Sequence, residues 1–173
     1  MKWFYNMNVS KKILSGFLFL ILVSLLVSGI SLYYLRQIDN SYSFMYEHKT
    51  VPLGNLAKSS VYYQRSRVNL NAMSGETDQA LLNQYYTNVG ELKSNYLFQL
   101  EEAKNSLTDP QLLEKIAQLE MRLAEYDLLR ERLMEGFMNP EIEVNQSVSA
   151  DARALSIEID SIFTSIVDDN IAM

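Results

Sequence analysis

Residues 109–137 read DPQLLEKIAQLEMRLAEYDLLRERLMEGF. Apolar side chains recur at Leu112, Ile116, Leu119, Leu123, Tyr126, Leu133 and Phe137, in alternating steps of four and three, with Arg130 in the single charged slot. That alternation is the heptad seam of a helix that buries one stripe against other helices. Asp109 is placed to accept hydrogen bonds from the first orphan amides. Pro110 sits where its missing N–H costs nothing. Glu114, Lys115, Glu120 and Arg122 supply solvated faces.

The same pattern extends in both directions. Upstream, Leu82, Tyr85, Val89, Leu92, Tyr96 and Ala103 form a seam over about residues 78–107, with Gln99 in its polar slot and Leu100 beside it as cover. Ser74-Gly75-Glu76-Thr77 is a turn, with Thr77 or Asp78 as the following N-cap. An earlier helix is expected over residues 36–74, kinked or locally broken at Pro52, because proline removes a backbone donor. Downstream, residues 136–146 break the periodicity and carry the turn dipeptide Asn139-Pro140. A last helix starts near Ser147 or Ser149, with Ala152, Leu155, Ile159, Ile162 and Ile166 as its stripe. Four long helices joined by short turns predict an all-α, antiparallel up-down-up-down four-helix bundle.

A different kind of segment stands in front of the bundle. Residues 13–35, ILSGFLFLILVSLLVSGISLYYL, contain no charge. As a helix they span about 34 Å, enough for a bilayer core of about 30 Å. A cleaved signal peptide has a shorter apolar region of about 7–15 residues and a small-residue cleavage site, whereas this run ends in the bulky Tyr33-Tyr34-Leu35. The reading is an uncleaved transmembrane helix that continues into the bundle. Lys2, Lys11 and Lys12 precede it and no acidic residue does, so the flank 1–12 is expected in the cytoplasm. Residues 36–173 are then an extracytoplasmic domain on a single-pass inner or plasma membrane anchor. Trp3, Phe4 and Tyr5 are expected at the inner interface, and Tyr33 and Tyr34 at the outer one.

Beyond the N-terminal lysines the chain carries 12 basic against 21 acidic residues, a net of −9. That disfavours nucleic acid, whose phosphates need a basic surface. The absence of cysteine removes disulfides and Cys-ligated zinc. The single histidine, His48, removes the paired Glu-x-x-His motifs of a di-iron bundle, and reads as a solvated residue near Pro52. No phosphate loop or nucleophile elbow is present. The chain is read as a non-enzyme without cofactor or metal.

Met1-Lys2-Trp3-Phe4, Val9-Ser10-Lys11-Lys12-Ile13-Leu14 and Gly16-Phe17 resemble the start of bacterial methyl-accepting chemotaxis receptors. Val51-Pro52-Leu53 and Arg65-Ser66-Arg67-Val68-Asn69-Leu70 are similar to the first sensor helix of their four-helix ligand-binding domain. The resemblance implies a homodimer paired through the first sensor helices. It also implies a second membrane span, a HAMP linker and a cytoplasmic signalling domain, none of which this chain contains. The chain is expected to be a fragment of, or to continue naturally into, such a protein. The same module heads histidine kinases and diguanylate cyclases. A single-pass helical protein that oligomerises for structural purposes is the alternative from another class.

Arg67 is the leading site candidate. Extending the heptad from Leu56 through Ser60 and Tyr63 places it on the seam before Leu70. A seam guanidinium needs a counter-charge: Asp160, Glu158 or Asp127 from the protein, or a ligand carboxylate. The resemblance implies the latter, since arginines on the first helix of the family's aspartate receptor hold ligand carboxylates across the dimer interface. Tyr63, Arg65, Asn71 and Thr164 complete the candidate ligand-binding set, although Arg65 shares a different face with Val61 and Val68. Tyr63, Tyr85, Tyr96 and Tyr126 fall on seams and are expected in the core. The expected partner is a small anionic ligand, or a binding protein loaded with one.

Overall fold

The computed structural model describes residues 8–139, 142 and 146–172. Lys2, Trp3, Phe4, Tyr5 and Pro140, used in the reading above, lie outside the described residues. The chain divides into two compact units, residues 1–44 and 45–173.

In the first unit, α1 (Val9–Met45) buries no residue. It is apolar on every side, from Ile13 and Phe17 to Leu32 and Leu35. An isolated helix of that kind is unstable in water and stable in lipid. Ser15 turns its hydroxyl onto the Lys12 carbonyl at 2.9 Å, which satisfies that polar group within the helix. Among the described helices, this segment is the one long and apolar enough to cross a membrane.

The second unit opens with a π-helical turn, Tyr46–Thr50, and continues through α2 (Val51–Met73), α3 (Gln79–Ser106), α4 (Pro110–Met138) and α5 (Gln146–Ala172). No strand occurs among the described residues. The break expected at Pro52 takes the form of the π turn just before it. The Val51 amide bonds back five residues to the Tyr46 carbonyl, and the α-helix resumes at once. Pro52 cannot donate to the His48 carbonyl, and the wider π turn lies where that bond is missing. His48 is not merely solvated. Its Nδ1 lies 3.0 Å from the Ser106 carbonyl, to which it donates. Asn170 of α5 donates to the neighbouring Lys49 carbonyl at 3.2 Å.

Capping follows the sequence closely. Asp78 accepts from the Ala80 amide at 2.7 Å and starts α3. Asp109 accepts from Gln111 and Leu112, at 2.7 and 3.2 Å, and starts α4 with Pro110 in its first turn. Two boundaries differ from expectation. Helix α4 runs past Gly136 to Met138, and α5 begins at Gln146. Gly136 is buried within α4, so its low helical propensity does not end the helix there.

The α2 seam needs a larger correction. The buried series is Pro52, Leu56, Ser59, Tyr63, Ser66, Leu70 and Met73. Ser59 and Ser66 hold the slots assigned above to Ser60 and Arg67. A step of three or four is equally compatible with 3.6 residues per turn, so the neighbouring helix decides. The Ser59 hydroxyl donates 2.8 Å to the Tyr96 carbonyl, and the small side chain lets the α3 backbone approach. Arg67 flanks the seam, with 27% of its side chain exposed. In α5, Ser156 and Phe163 are buried, while Leu155 and Ile162 flank the core.

Packing is uneven around the bundle. Helix α2 packs most extensively on α3, and α4 on α5, whereas α3–α4 and α2–α5 meet less. The bundle is thus two helical hairpins laid side by side.

Candidate functional site

Each hairpin helix contributes one ring to a central layer: Tyr63, Tyr96, Tyr126 and Phe163. Tyr63, with no exposed surface, is the hub. Its ring centroid lies 5.8 Å from Tyr96 and 5.4 Å from Tyr126, both edge-on, and 6.1 Å from Phe163. Edge-to-face contacts set the positive rim of one ring against the negative face of another. Burial drives all three phenols above their ordinary range, and Tyr126 is pushed up to about 12. For Tyr96 the Asp127 carboxylate adds to that rise.

Ionic groups flank this layer. Arg130 is 3% exposed, and its Nη1 lies 2.8 Å from Asp127 Oδ1. The same nitrogen donates 3.2 Å to the Tyr96 hydroxyl, which in turn donates 2.9 Å to Asp127 Oδ1. Lys93 reaches the other Asp127 oxygen at 2.8 Å. Nearer α5, Arg67 Nη1 contacts Asp160 Oδ2 at 2.5 Å, and the guanidinium carbon stands 5.6 Å from the Tyr63 ring centroid. Of the three protein partners considered for Arg67, Asp160 is the one used. Glu158 pairs with Arg122, and Asp127 with Arg130 and Lys93. The Tyr63 hydroxyl, Ser66 Oγ, Arg130 Nε and Asp160 Oδ1 are buried without a hydrogen-bond partner among the described residues.

A cavity of about 470 Å³ opens beside the aromatic layer, between α2, α4 and α5. Its rim carries Arg67, Asn71, Ser74, Ser149 and Arg153. Leu70, Tyr126, Leu133, Phe137, Ala152 and the buried Ser156 complete its lining. The residues come from the end of α2, the end of α4 and the start of α5, so the cavity lies toward the end of the bundle opposite Met45. A separate groove of about 290 Å³ between α2 and α3 contains Arg65, Asn69, Asn88 and Glu91.

The five candidate residues therefore do not converge. Arg67 and Asn71 share the cavity. Tyr63 lies in the core behind Arg67. Arg65 lines the other groove. Thr164 stands on a shallow acidic surface of α5 with Asp160, Asp168 and Asp169, and donates its hydroxyl to the Asp160 carbonyl at 2.9 Å. Arg153 was missed. Its signal was available, since it directly follows the seam residue Ala152 on α5, as Arg67 follows the seam residue Ser66 on α2.

Along the chain, a four-helix bundle thus follows a helix long and apolar enough to cross a membrane. Residues 6–170 match the model of the four-helix-bundle sensory module for signal transduction, and the chain belongs to that family. No match was found among curated proteins or among solved structures. The bundle is a sensor domain of a signalling receptor.

Proposed function

We propose that this chain is the extracytoplasmic sensing portion of a bacterial transmembrane chemoreceptor, and not an enzyme. The observation that carries the reading is the junction of a sensory bundle to a helix with membrane character, with Lys11 and Lys12 and no acid on its N-terminal side. Signalling would use the uneven packing. A slide of the α4–α5 hairpin against α2–α3 would cross the less extensive interfaces and repack the Tyr63–Tyr126 and Arg67–Asp160 contacts. A ligand biases such a slide only by its differential affinity for the two positions. The input would be a small anion or a binding protein carrying one.

A homodimer would pair through α2 by a face other than the Leu56–Tyr63–Leu70 seam. Leu56, Tyr63 and Leu70 are consumed inside one copy. The free heptad on the opposite face is Gly54, Ala57, Val61, Gln64, Val68 and Asn71, all exposed. Small and β-branched residues at such spacing suit a parallel helix pair.

The topology is tested by fusing, after Leu107, a reporter enzyme active only outside the cytoplasm. Activity is expected, and activity of a cytoplasm-only reporter at that site would overturn the orientation. Reading the gene beyond Met173 separates the outputs. A second apolar span, a HAMP segment and methylation-type coiled-coil repeats support a chemoreceptor. A kinase or cyclase domain would replace that reading with a sensor for another output.

A further inference from the structure

We propose that the outer face of α4 docks an amphipathic helix of another protein, one whose apolar stripe is closed at both ends by lysine or arginine. The inference goes beyond the sensor reading and holds whichever output follows. Opposite its buried seam, α4 carries a second heptad series, Ala117, Met121, Ala124 and Leu128, in steps of four, three and four. All four are exposed, Met121 at 55% and Leu128 at 63%. The solvent side of a bundle helix is ordinarily charged or polar, so the bundle itself has no use for this second periodicity.

Shape points to a helix as the occupant. The stripe extends about 17 Å along α4. Its alanines let a facing backbone approach, and the flexible Met121 adapts to what lies opposite. Leu128 also forms the edge of a groove of about 460 Å³ between α4 and α5, whose apolar part is completed by Leu129, Ala154 and Leu155. An amphipathic helix laid on the stripe can place one bulky side chain there.

Charge selects the partner. Continued by the same steps, the series reaches Glu114 before Ala117, then Glu131 and Glu135 after Leu128, all exposed. Glu114 and Glu135 have no ion pair among the described residues. Glu131 is met only at 3.6 Å by Lys93 and at 4.0 Å by Arg130. A second copy of the chain is disfavoured in either direction. In a parallel pair each of these glutamates faces its own twin. In an antiparallel pair with the apolar residues matched, Glu114 of each copy faces Glu131 of the other. Like charges opposed along a helix contact are costly, and two-fold symmetry repeats each clash. The groove has the same sign, since Glu125, Asp151 and Glu158 line it against Arg132 alone. Arg122 holds Glu125 and Glu158, which leaves the charge of Asp151 unanswered. The surface therefore fits a helix with two cations spaced as Glu114 and Glu131 are, enclosing an apolar stripe. Such a partner engages the α4–α5 hairpin and leaves Val61 and Val68 of α2 free for a homodimer.

The test uses the full chain in phosphatidylcholine nanodiscs, with empty nanodiscs as the blank. The probe is a synthetic three-heptad helix with leucine and alanine alternating along its stripe, lysine at both ends of the stripe and glutamine elsewhere. Its control carries glutamate in place of lysine. By fluorescence anisotropy the lysine helix should bind at least about tenfold tighter than the glutamate helix. Leu128→Glu, at a position already exposed, should leave Tm in place and weaken the lysine helix at least about tenfold. Glu114→Gln combined with Glu131→Gln should bring the two peptides to within about threefold of each other. Val68→Glu, on the exposed face of α2, should change neither affinity. Equal binding of the two peptides, undiminished binding in Leu128→Glu, an equal loss in Val68→Glu, or binding no tighter than to empty nanodiscs would overturn the proposal. So would self-association of the parent chain that Leu128→Glu abolishes, because a second copy would then occupy the face.

Discussion

Replacing Arg130 by Met should destabilise the bundle, although methionine is the more apolar residue and equals arginine in helix propensity. Arg130 is 3% exposed and neutralises Asp127, whose side chain is only 14% exposed. Removing one partner of a buried pair costs about 3–5 kcal/mol, because the remaining charge is left desolvated. Asp127 keeps two other partners, the Lys93 ammonium at 2.8 Å and the Tyr96 hydroxyl at 2.9 Å. Those contacts, and the apolar surface of the new methionine, reduce the expected loss to about 2 kcal/mol. For the unit spanning residues 45–173 that is a fall in Tm of about 7 °C.

The assay is thermal unfolding of the full chain in detergent, followed by near-ultraviolet circular dichroism. That signal reports the packed tyrosine layer rather than helix content alone. A second variant isolates the cause. Arg130→Met combined with Asp127→Asn removes both charges and keeps an acceptor for Tyr96, so Tm should recover to within about 3 °C of the parent. An unchanged Tm in the single variant, or a further fall in the double variant, would refute the claim that the buried charge is the source of the loss.

The Arg67–Asp160 pair should behave differently, since its side chains are 27% and 36% exposed. A double-mutant cycle with Arg67→Ala and Asp160→Ala should give a coupling of about 0.5–1 kcal/mol at low salt, shrinking in 1 M NaCl as the Debye length falls to about 3 Å. Stability should also fall in strong alkali. An unfolded tyrosine titrates near 10, and Tyr126 in the bundle is pushed up to about 12, so the folded form retains a proton that the unfolded form has lost. The contribution is fully present below pH 10 and is lost as pH rises toward 12, by about 2–3 kcal/mol. Denaturant titrations across that range should show a shallower decline in Tyr126→Phe. Single cysteines along α2 should cross-link between copies in membranes most strongly at positions 54, 57, 61, 64, 68 and 71. Peak cross-linking at 56, 63 and 70 would place the dimer contact on the face that the monomer buries.

Much of this architecture is legible in one dimension, because it is enforced locally. A charge-free run of 23 residues needs no tertiary information to read as a membrane-class helix. The heptads of α3 and α4 mark their own buried faces, and Asp78, Asp109 and Pro110 mark their ends through bonds within one turn. Even the Asp160 partner of Arg67 was among the possibilities, since a guanidinium beside a core must be answered by some carboxylate. The sequence could not decide between steps of three and four on α2. Ser59 and Ser60 differ by one helical position, and only the approach of the α3 backbone, fastened by the Ser59–Tyr96 hydrogen bond, selects the first. That choice moves Arg67 off the seam and frees Val61 and Val68 on the outer face. It also parts Arg67 from Arg65 and Thr164 and sets it beside Arg153, which is 86 residues away in the chain. Helical periodicity specifies which side of each helix is apolar. Which helices then face one another, and at what height, is set by side chains packing across the bundle, and the cavity exists only at that level.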